Sequence, residues 1–121
     1  PMSAEPSAAS QLDRLSPAER QHLSEFKREV EAALPGQVAR VTLFGSRARG
    51  DADKDSDYDV AVFLRERADD WRIGSLVSSI AYPHMLEGVY ISATLLPVAY
   101  LSDDPPTELA AEIARDGVVL S

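Results

Sequence analysis

Gly45-Ser46-Arg47-Ala48-Arg49-Gly50-Asp51-Ala52-Asp53-Lys54-Asp55-Ser56-Asp57-Tyr58-Asp59-Val60 is the stretch on which the reading of this chain turns. A Gly-Ser turn stands ten residues ahead of an Asp-x-Asp pair that opens an apolar run. The flanking segments, Val38-Ala39-Arg40-Val41-Thr42-Leu43-Phe44 and Tyr58-Asp59-Val60-Ala61-Val62-Phe63-Leu64, are short, rich in Val and Phe, and bounded by Gly or acidic residues. Both therefore read as β-strands. A phosphate cradle after one strand and two carboxylates on the next make a site for a metal-bound nucleotide.

The chemistry follows from side-chain alternation. Asp57 and Asp59 point to one face of their strand, while Tyr58 and Val60 point to the other, toward the core. Two carboxylates roughly 4 Å apart in a partly buried site repel by about 4 kcal/mol at an effective dielectric near 20. Mg²⁺ removes that cost and prefers one or two carboxylates together with waters and phosphate oxygens. On the other strand, Gly45 lets the backbone approach a phosphate, and Ser46 offers a hydroxyl and an N–H at the first turn of a short helix. Arg47 and Arg49 flank this turn and suit phosphate charge, and Gly50 ends it. Asp51, Asp53 and Asp55 alternate like a calcium loop, but positions six and twelve from Asp51 are Ser56 and Val62 instead of Gly and Glu. They read as solvated loop residues.

Outward from this stretch the chain resolves into α-β-β-α-β-α. Ser16 as N-cap, Pro17 at N1 and Glu19 at N3 form a capping box, and Leu23, Phe26, Val30, Ala33 and Leu34 recur at helical spacing until Pro35-Gly36. Asp69 or Asp70 caps a second helix through Trp71, Ile73, Leu76, Val77, Ile80 and Ala81, whose last turn Pro83 disturbs and Gly88 stops. Residues 89–96 read as a third strand. Pro105-Pro106-Thr107 starts a last helix carrying Leu109, Ile113 and Ala114, closed by Gly117 at C′, and Val118-Val119-Leu120 is a short extended tail. The order predicts an α/β (α+β) domain, a small mixed sheet covered by helices, over residues 16–121, with a flexible segment at 1–15.

Composition bounds the function. At 121 residues the chain suits one domain with a real core. It has no apolar run near the roughly 20 residues that cross a bilayer, and no signal-peptide pattern at its start. The absence of cysteine excludes disulfides and thiolate metal sites and fits the cytoplasm. A net charge of −8 argues against direct nucleic-acid binding, which needs clustered Lys and Arg. A divalent cation still lets an acidic protein hold a triphosphate. Other polar and aromatic residues read plainly: His22 as a surface residue, His84 as a cap partner at a helix end, Trp71 and Tyr82 as packing residues. Tyr90 and Tyr100 carry no local signal.

The spacing Gly45-Ser46, ten residues, Asp57-Tyr58-Asp59 resembles the signature of the nucleotidyltransferase superfamily that includes DNA polymerase beta. The fuller run 45–60 resembles its minimal nucleotidyltransferase (MNT) branch, most strongly over residues 38–64 and more loosely to 121. The resemblance implies the polymerase beta-like fold. It implies that Gly45 and Ser46 hold the β- and γ-phosphates of a nucleoside triphosphate, with Arg47 and Arg49 beside them. Asp57 and Asp59 are then the catalytic residues and Mg²⁺ ligands. Many such proteins, encoded beside a HEPN-domain toxin, silence it by transferring AMP from ATP to one of its tyrosines. The resemblance therefore implies an adenylyltransferase antitoxin with a HEPN partner, as a hetero-oligomer or homo-oligomer.

One departure is specific. The superfamily places a third carboxylate on the third strand, where this chain has Ser92 or Thr94; Glu87 is the nearest acid in sequence. Two functions of different class follow: an Mg²⁺-dependent adenylyltransferase, or an antitoxin subunit that binds its partner and the nucleotide with weak or no transfer. Nucleotidyl transfer to a small molecule fits less well without an added acceptor domain. A domain this short leaves the acceptor to a docking partner, expected on the first or last helix, where Leu109, Ile113 and Leu120 are the apolar contributors if they are not spent on the core.

Overall fold

The computed structural model describes residues 15–121. Nine elements follow in order: α1 (Pro17–Ala33), β1 (Val38–Phe44), α2 (Ser46–Arg49), β2 (Tyr58–Leu64), α3 (Trp71–Leu86), β3 (Ile91–Pro97), a 3-10 turn (Val98–Tyr100), α4 (Glu108–Asp116) and β4 (Val118–Val119). The expected mixed α/β fold is present, with one strand more than the sequence suggested. The tail 118–120 is not a free extension. Val118 and Val119 pair antiparallel with Leu43 and Thr42, and the Leu120 N–H donates to the Val41 carbonyl at 2.9 Å.

The sheet order is β3-β2-β1-β4. β1 and β2 run antiparallel, with Phe44 opposite Asp59, while β2 and β3 run parallel, with Asp59 beside Ser92. Parallel neighbours need a crossover, and α3 supplies it. Every residue of β2 except Asp59 is buried, as expected for a central strand covered on both faces. One face carries Val41, Leu43, Val60 and Val62 against Leu23, Phe26 and Val30 of α1 and Ile73, Val77 and Ala81 of α3. The opposite face holds a smaller cluster, Phe44, Ala61, Phe63 and Leu96, covered by Ile113 of α4. Leu15 is also buried in the larger cluster; the rest of the expected lead-in, 1–14, lies outside the described residues.

Local signals set the helix starts. The Ser16 hydroxyl accepts from the Glu19 N–H at 3.0 Å, and the Glu19 carboxylate accepts from the Ser16 N–H at 2.7 Å, completing the capping box. Asp70 caps α3, its carboxylate accepting from the Arg72 N–H at 2.9 Å. Thr107 caps α4. Pro83 does not break α3, which continues to Leu86. Both Pro83 and Ser79, whose carbonyl loses its helical donor to the proline, face solvent, so water can take up the orphaned acceptor.

Several side-chain expectations are corrected. Trp71 and Tyr82 are 78% and 55% exposed, so they are not packing residues. Ile113 and Leu120 are core residues, and the exposed large apolar side chains fall mostly on α3 and near β3 (Trp71, Tyr82, Leu86 and Tyr90), away from α1. Leu109, on α4, is exposed at 37%, in keeping with the sequence reading.

Candidate active site

Antiparallel pairing of β1 with β2 brings the end of one strand to the start of the next, so Gly45 and Ser46 arrive beside Asp57 and Asp59 although ten residues separate the pairs. Gly45 has φ +74, a conformation that only glycine adopts without strain. A Cβ on it would overlap Asp59 Oδ2 and lie 3.2 Å from Asp59 Cγ. The missing side chain is therefore what lets the Asp59 carboxylate lie against the loop. Ser46 and Arg47 open α2, where N–H groups have no intrahelical acceptor, and Gly50 closes it in the left-handed conformation.

Asp57 is exposed and Asp59 half-buried. Burial, then the charges of Asp57 and Glu112, push the Asp59 carboxyl above its usual range, with the Arg49 guanidinium opposing them. Glu112 was not singled out by the sequence. It sits on α4, and its carboxylate lies 3.6 Å from the Arg49 guanidinium. Arg49 also pairs with Asp51 at 3.2 Å. Nothing local marked Glu112, because only the docking of α4 on the sheet brings it across. Asp51, Asp59 and Glu112 thus converge on Arg49 and the Gly45 turn. Hard oxygen donors beside a loop stripped of its Cβ fit a Mg²⁺ ion carrying phosphate oxygens.

Arg47 turns away from this shelf. Its guanidinium donates to the Ser56 carbonyl at 2.9 and 3.2 Å and to the Lys54 carbonyl at 3.5 Å, stacks 4.2 Å over the Tyr58 ring, and pairs with Glu19 at 3.5 Å. It clamps the ten-residue loop onto β2. The loop is further held by Asp53, whose carboxylate accepts from the Asp55 N–H and the Ser56 hydroxyl. Behind the loop, the Tyr58 hydroxyl donates to Glu19. Burial and that bond raise the Tyr58 hydroxyl to about 12. Burial works against ionised Glu19, but the bonds from Tyr58 and Ser16 and the charge of Arg47 outweigh it and hold its carboxyl low.

On the third strand Ser92 stands directly beside Asp59 and Thr94 beside Ala61, so Ser92 occupies the position next to the carboxylate pair. Glu87 caps the far end of α3 and lies 3.9 Å from His22. A groove of about 240 Å³ at the β3 edge is lined by Tyr82, Met85, Tyr90 and Ser92 among others. A larger one of about 330 Å³, bounded by Thr42, Phe63, Tyr100 and Ile113, includes none of Gly45, Ser46, Asp57 or Asp59. No helix among the described residues is long and apolar enough to cross a membrane.

A Methanocaldococcus jannaschii protein, named as a candidate protein adenylyltransferase, is 46% identical to this chain over 44 residues, 36% of this chain and 44% of the relative. The match thus spans less than half the length of that relative. The crystal structure of a toxin–antitoxin with AMP-PNP superposes with a TM-score of 0.52 at 20% identity, over 81% of this chain and 72% of the other. A mutant of the toxin–antitoxin MntA-HpeT gives a TM-score of 0.51 at 18% identity, with the same coverage. At such identity the likeness concerns the fold. The family model for the nucleotidyltransferase domain matches residues 23–92, from α1 through both strands of the site to Ser92, and the chain belongs to that family.

Proposed function

We propose that this domain is an adenylyltransferase antitoxin: it transfers AMP from ATP to a tyrosine of a HEPN-type toxin encoded by the adjacent gene. The observation that carries the reading is the Asp59 carboxylate lying against the Cβ-less face of Gly45. Gly45 and Ser46 take the β- and γ-phosphates, Arg49 lends positive charge beside them, and Asp57 and Asp59 hold Mg²⁺. When bound, the metal screens the triphosphate and stabilises charge developing at the α-phosphate. The acceptor oxygen forms a bond to the α-phosphorus, the bond to the pyrophosphate oxygen breaks, and pyrophosphate leaves. Glu112, the carboxylate not assigned to metal, accepts the phenolic proton. The acceptor enters along the β3-edge groove, whose lining includes Ser92, the neighbour of Asp59 on β3. The name of the M. jannaschii relative and the toxin–antitoxin neighbours support this choice of substrate and partner.

A second reading rests on Ser92. A neutral hydroxyl beside Asp59, where the superfamily has a carboxylate, favours a subunit that binds Mg·ATP and its partner with little transfer. Incubation with labelled ATP, Mg²⁺ and the neighbouring gene product separates the two. Label on the partner, abolished by Asp57→Ala and Asp59→Ala and slowed by Glu112→Gln, supports transfer. A tight complex without label, indifferent to these changes, leaves binding alone.

A further inference from the structure

The chain contains two histidines and no cysteine. The two imidazoles, 62 positions apart, meet between α1 and α3: His22 Nδ1 lies 2.8 Å from His84 Nδ1, with the rings edge-on at 85°. His22 is thus not a plain surface residue. The His84 carbonyl does act as a cap partner, accepting from the Glu87 N–H at the helix end, while its ring, 4% exposed, is turned into the helix interface against Phe26. Glu25, one turn after His22 on α1, brings a carboxylate to the same point. One ligand atom from each of His22, His84 and Glu25 lies within 4.8 Å of the others.

We propose that His22, His84 and Glu25 bind a borderline divalent transition ion, Zn²⁺ in particular, at the α1–α3 interface. Two imidazole nitrogens and one carboxylate oxygen are a set that zinc takes at roughly 2.0–2.2 Å, with a fourth position left for water. The ion replaces the proton that the facing Nδ1 atoms share. Both remote nitrogens are turned to carboxylates: His84 Nε2 lies 2.7 Å from Glu29 Oε1, and His22 Nε2 lies 3.9 Å from Glu87 Oε1. Such outer carboxylates fix the ring orientation and raise the basicity of the ligating nitrogen. A cavity of about 180 Å³, lined by His22, Glu25 and Glu87 with Ala18 and Gln21, opens onto the cluster and admits the fourth ligand. An imidazole–imidazole hydrogen bond alone accounts for the 2.8 Å contact. It does not call for Glu25 at the same point or for a carboxylate behind each ring. The site is chemically distinct from the Asp57/Asp59 shelf, whose all-oxygen donors suit Mg²⁺.

Zinc titration of the full chain in an Asp57→Asn/Asp59→Asn background, followed by calorimetry and by the histidine ring signals in NMR, tests the assignment. One equivalent taken up at micromolar concentration, with both ring signals shifting and the melting temperature rising, is the expected result. Co²⁺ in place of Zn²⁺ should give the intense visible bands of a low-coordinate site. His22→Asn should abolish uptake, Glu25→Gln should weaken it, and Glu29→Gln should weaken it by roughly 10-fold to 100-fold. His22 and Glu25 line the cavity, so their variants should fold, and buried His84 is left unchanged. Uptake unchanged in His22→Asn, or no uptake at micromolar zinc in the folded protein, overturns the proposal.

Discussion

Glu19 and Gly45 show how single side chains position the loop. The Glu19 carboxylate closes the α1 capping box and takes the Tyr58 hydroxyl and the Arg47 guanidinium, so one group joins helix, strand and loop. Its folded pKa lies below the unfolded value, so its contribution to stability is present above the unfolded pKa of 4.5 and is lost as pH falls through the folded one. Urea melts should show Glu19→Gln less stable than wild type at neutral pH by about 1–2 kcal/mol, with the gap narrowing below about pH 4. Tyr58 titrates in the opposite sense: stability from its hydroxyl is present below 10 and fades as pH rises toward about 12. In an absorbance titration Tyr58 should ionise toward about 12, and Tyr58→Phe should remove that late phase. Gly45 and Gly36 form a matched pair. Both have φ near +75, so alanine at either costs about 1–2 kcal/mol of backbone strain. A Cβ at Gly36 meets nothing within 4 Å, whereas one at Gly45 collides with Asp59. Nucleotide affinity, measured by calorimetry, should survive Gly36→Ala and collapse in Gly45→Ala.

At the scale of elements, α4 and β4 carry the least legible part of the fold. Gly117 reads in sequence as a left-handed helix stop, yet its φ is −70 and its conformation ordinary. Glycine is needed there for space, since a Cβ would overlap the Ile113 carbonyl and come within 2.6 Å of Thr42 Cγ2. Gly117→Ala should therefore cost about 1–3 kcal/mol in chemical denaturation through overpacking. It should also displace α4, weakening the Glu112–Arg49 contact and with it catalysis. Capping boxes, strand runs and the Gly-Ser-to-Asp-x-Asp spacing are local, and Ser16, Asp70, residues 38–44 and 58–64 could be read from neighbours in the chain. β4 could not, because two residues have no period; only pairing with Thr42 and Leu43 makes them a strand. The same holds for Glu112, which reaches the site through the packing of α4, and for His22 and His84, whose meeting depends on α1 lying against α3. Arg47 was legible as a neighbour of the phosphate turn, but its direction was not: the carbonyls of Lys54 and Ser56 and the ring of Tyr58 draw it away.

Over the whole molecule, charge sets the terms on which a nucleotide can bind. A protein of net charge −8 that gathers Asp51, Asp59 and Glu112 around one arginine, with Asp57 beside Asp59, repels a bare triphosphate. The cost is carried in the ligand-free fold, where the Asp59 carboxyl is pushed up by burial and by its acidic neighbours. For a group raised in the folded state, stability is fully present below the unfolded pKa of 3.8 and is lost as pH rises through the folded pKa. At neutral pH Asp59 therefore destabilises the empty domain, opposite to Glu19. Asp59→Asn should leave the ligand-free protein at least as stable as wild type in thermal melts, since the substitution removes repulsion without opening a cavity. The sign reverses with ligand. Mg²⁺ plus a non-hydrolysable ATP analogue at about 100 times its Kd should stabilise wild type by about 2.7 kcal/mol. The analogue with chelator should do far less, and neither condition should move Asp59→Asn. A variant that gained stability when empty and still responded fully to Mg·nucleotide would place the metal elsewhere, because the group whose charge is costly in the empty fold would then not be the group that holds the ion.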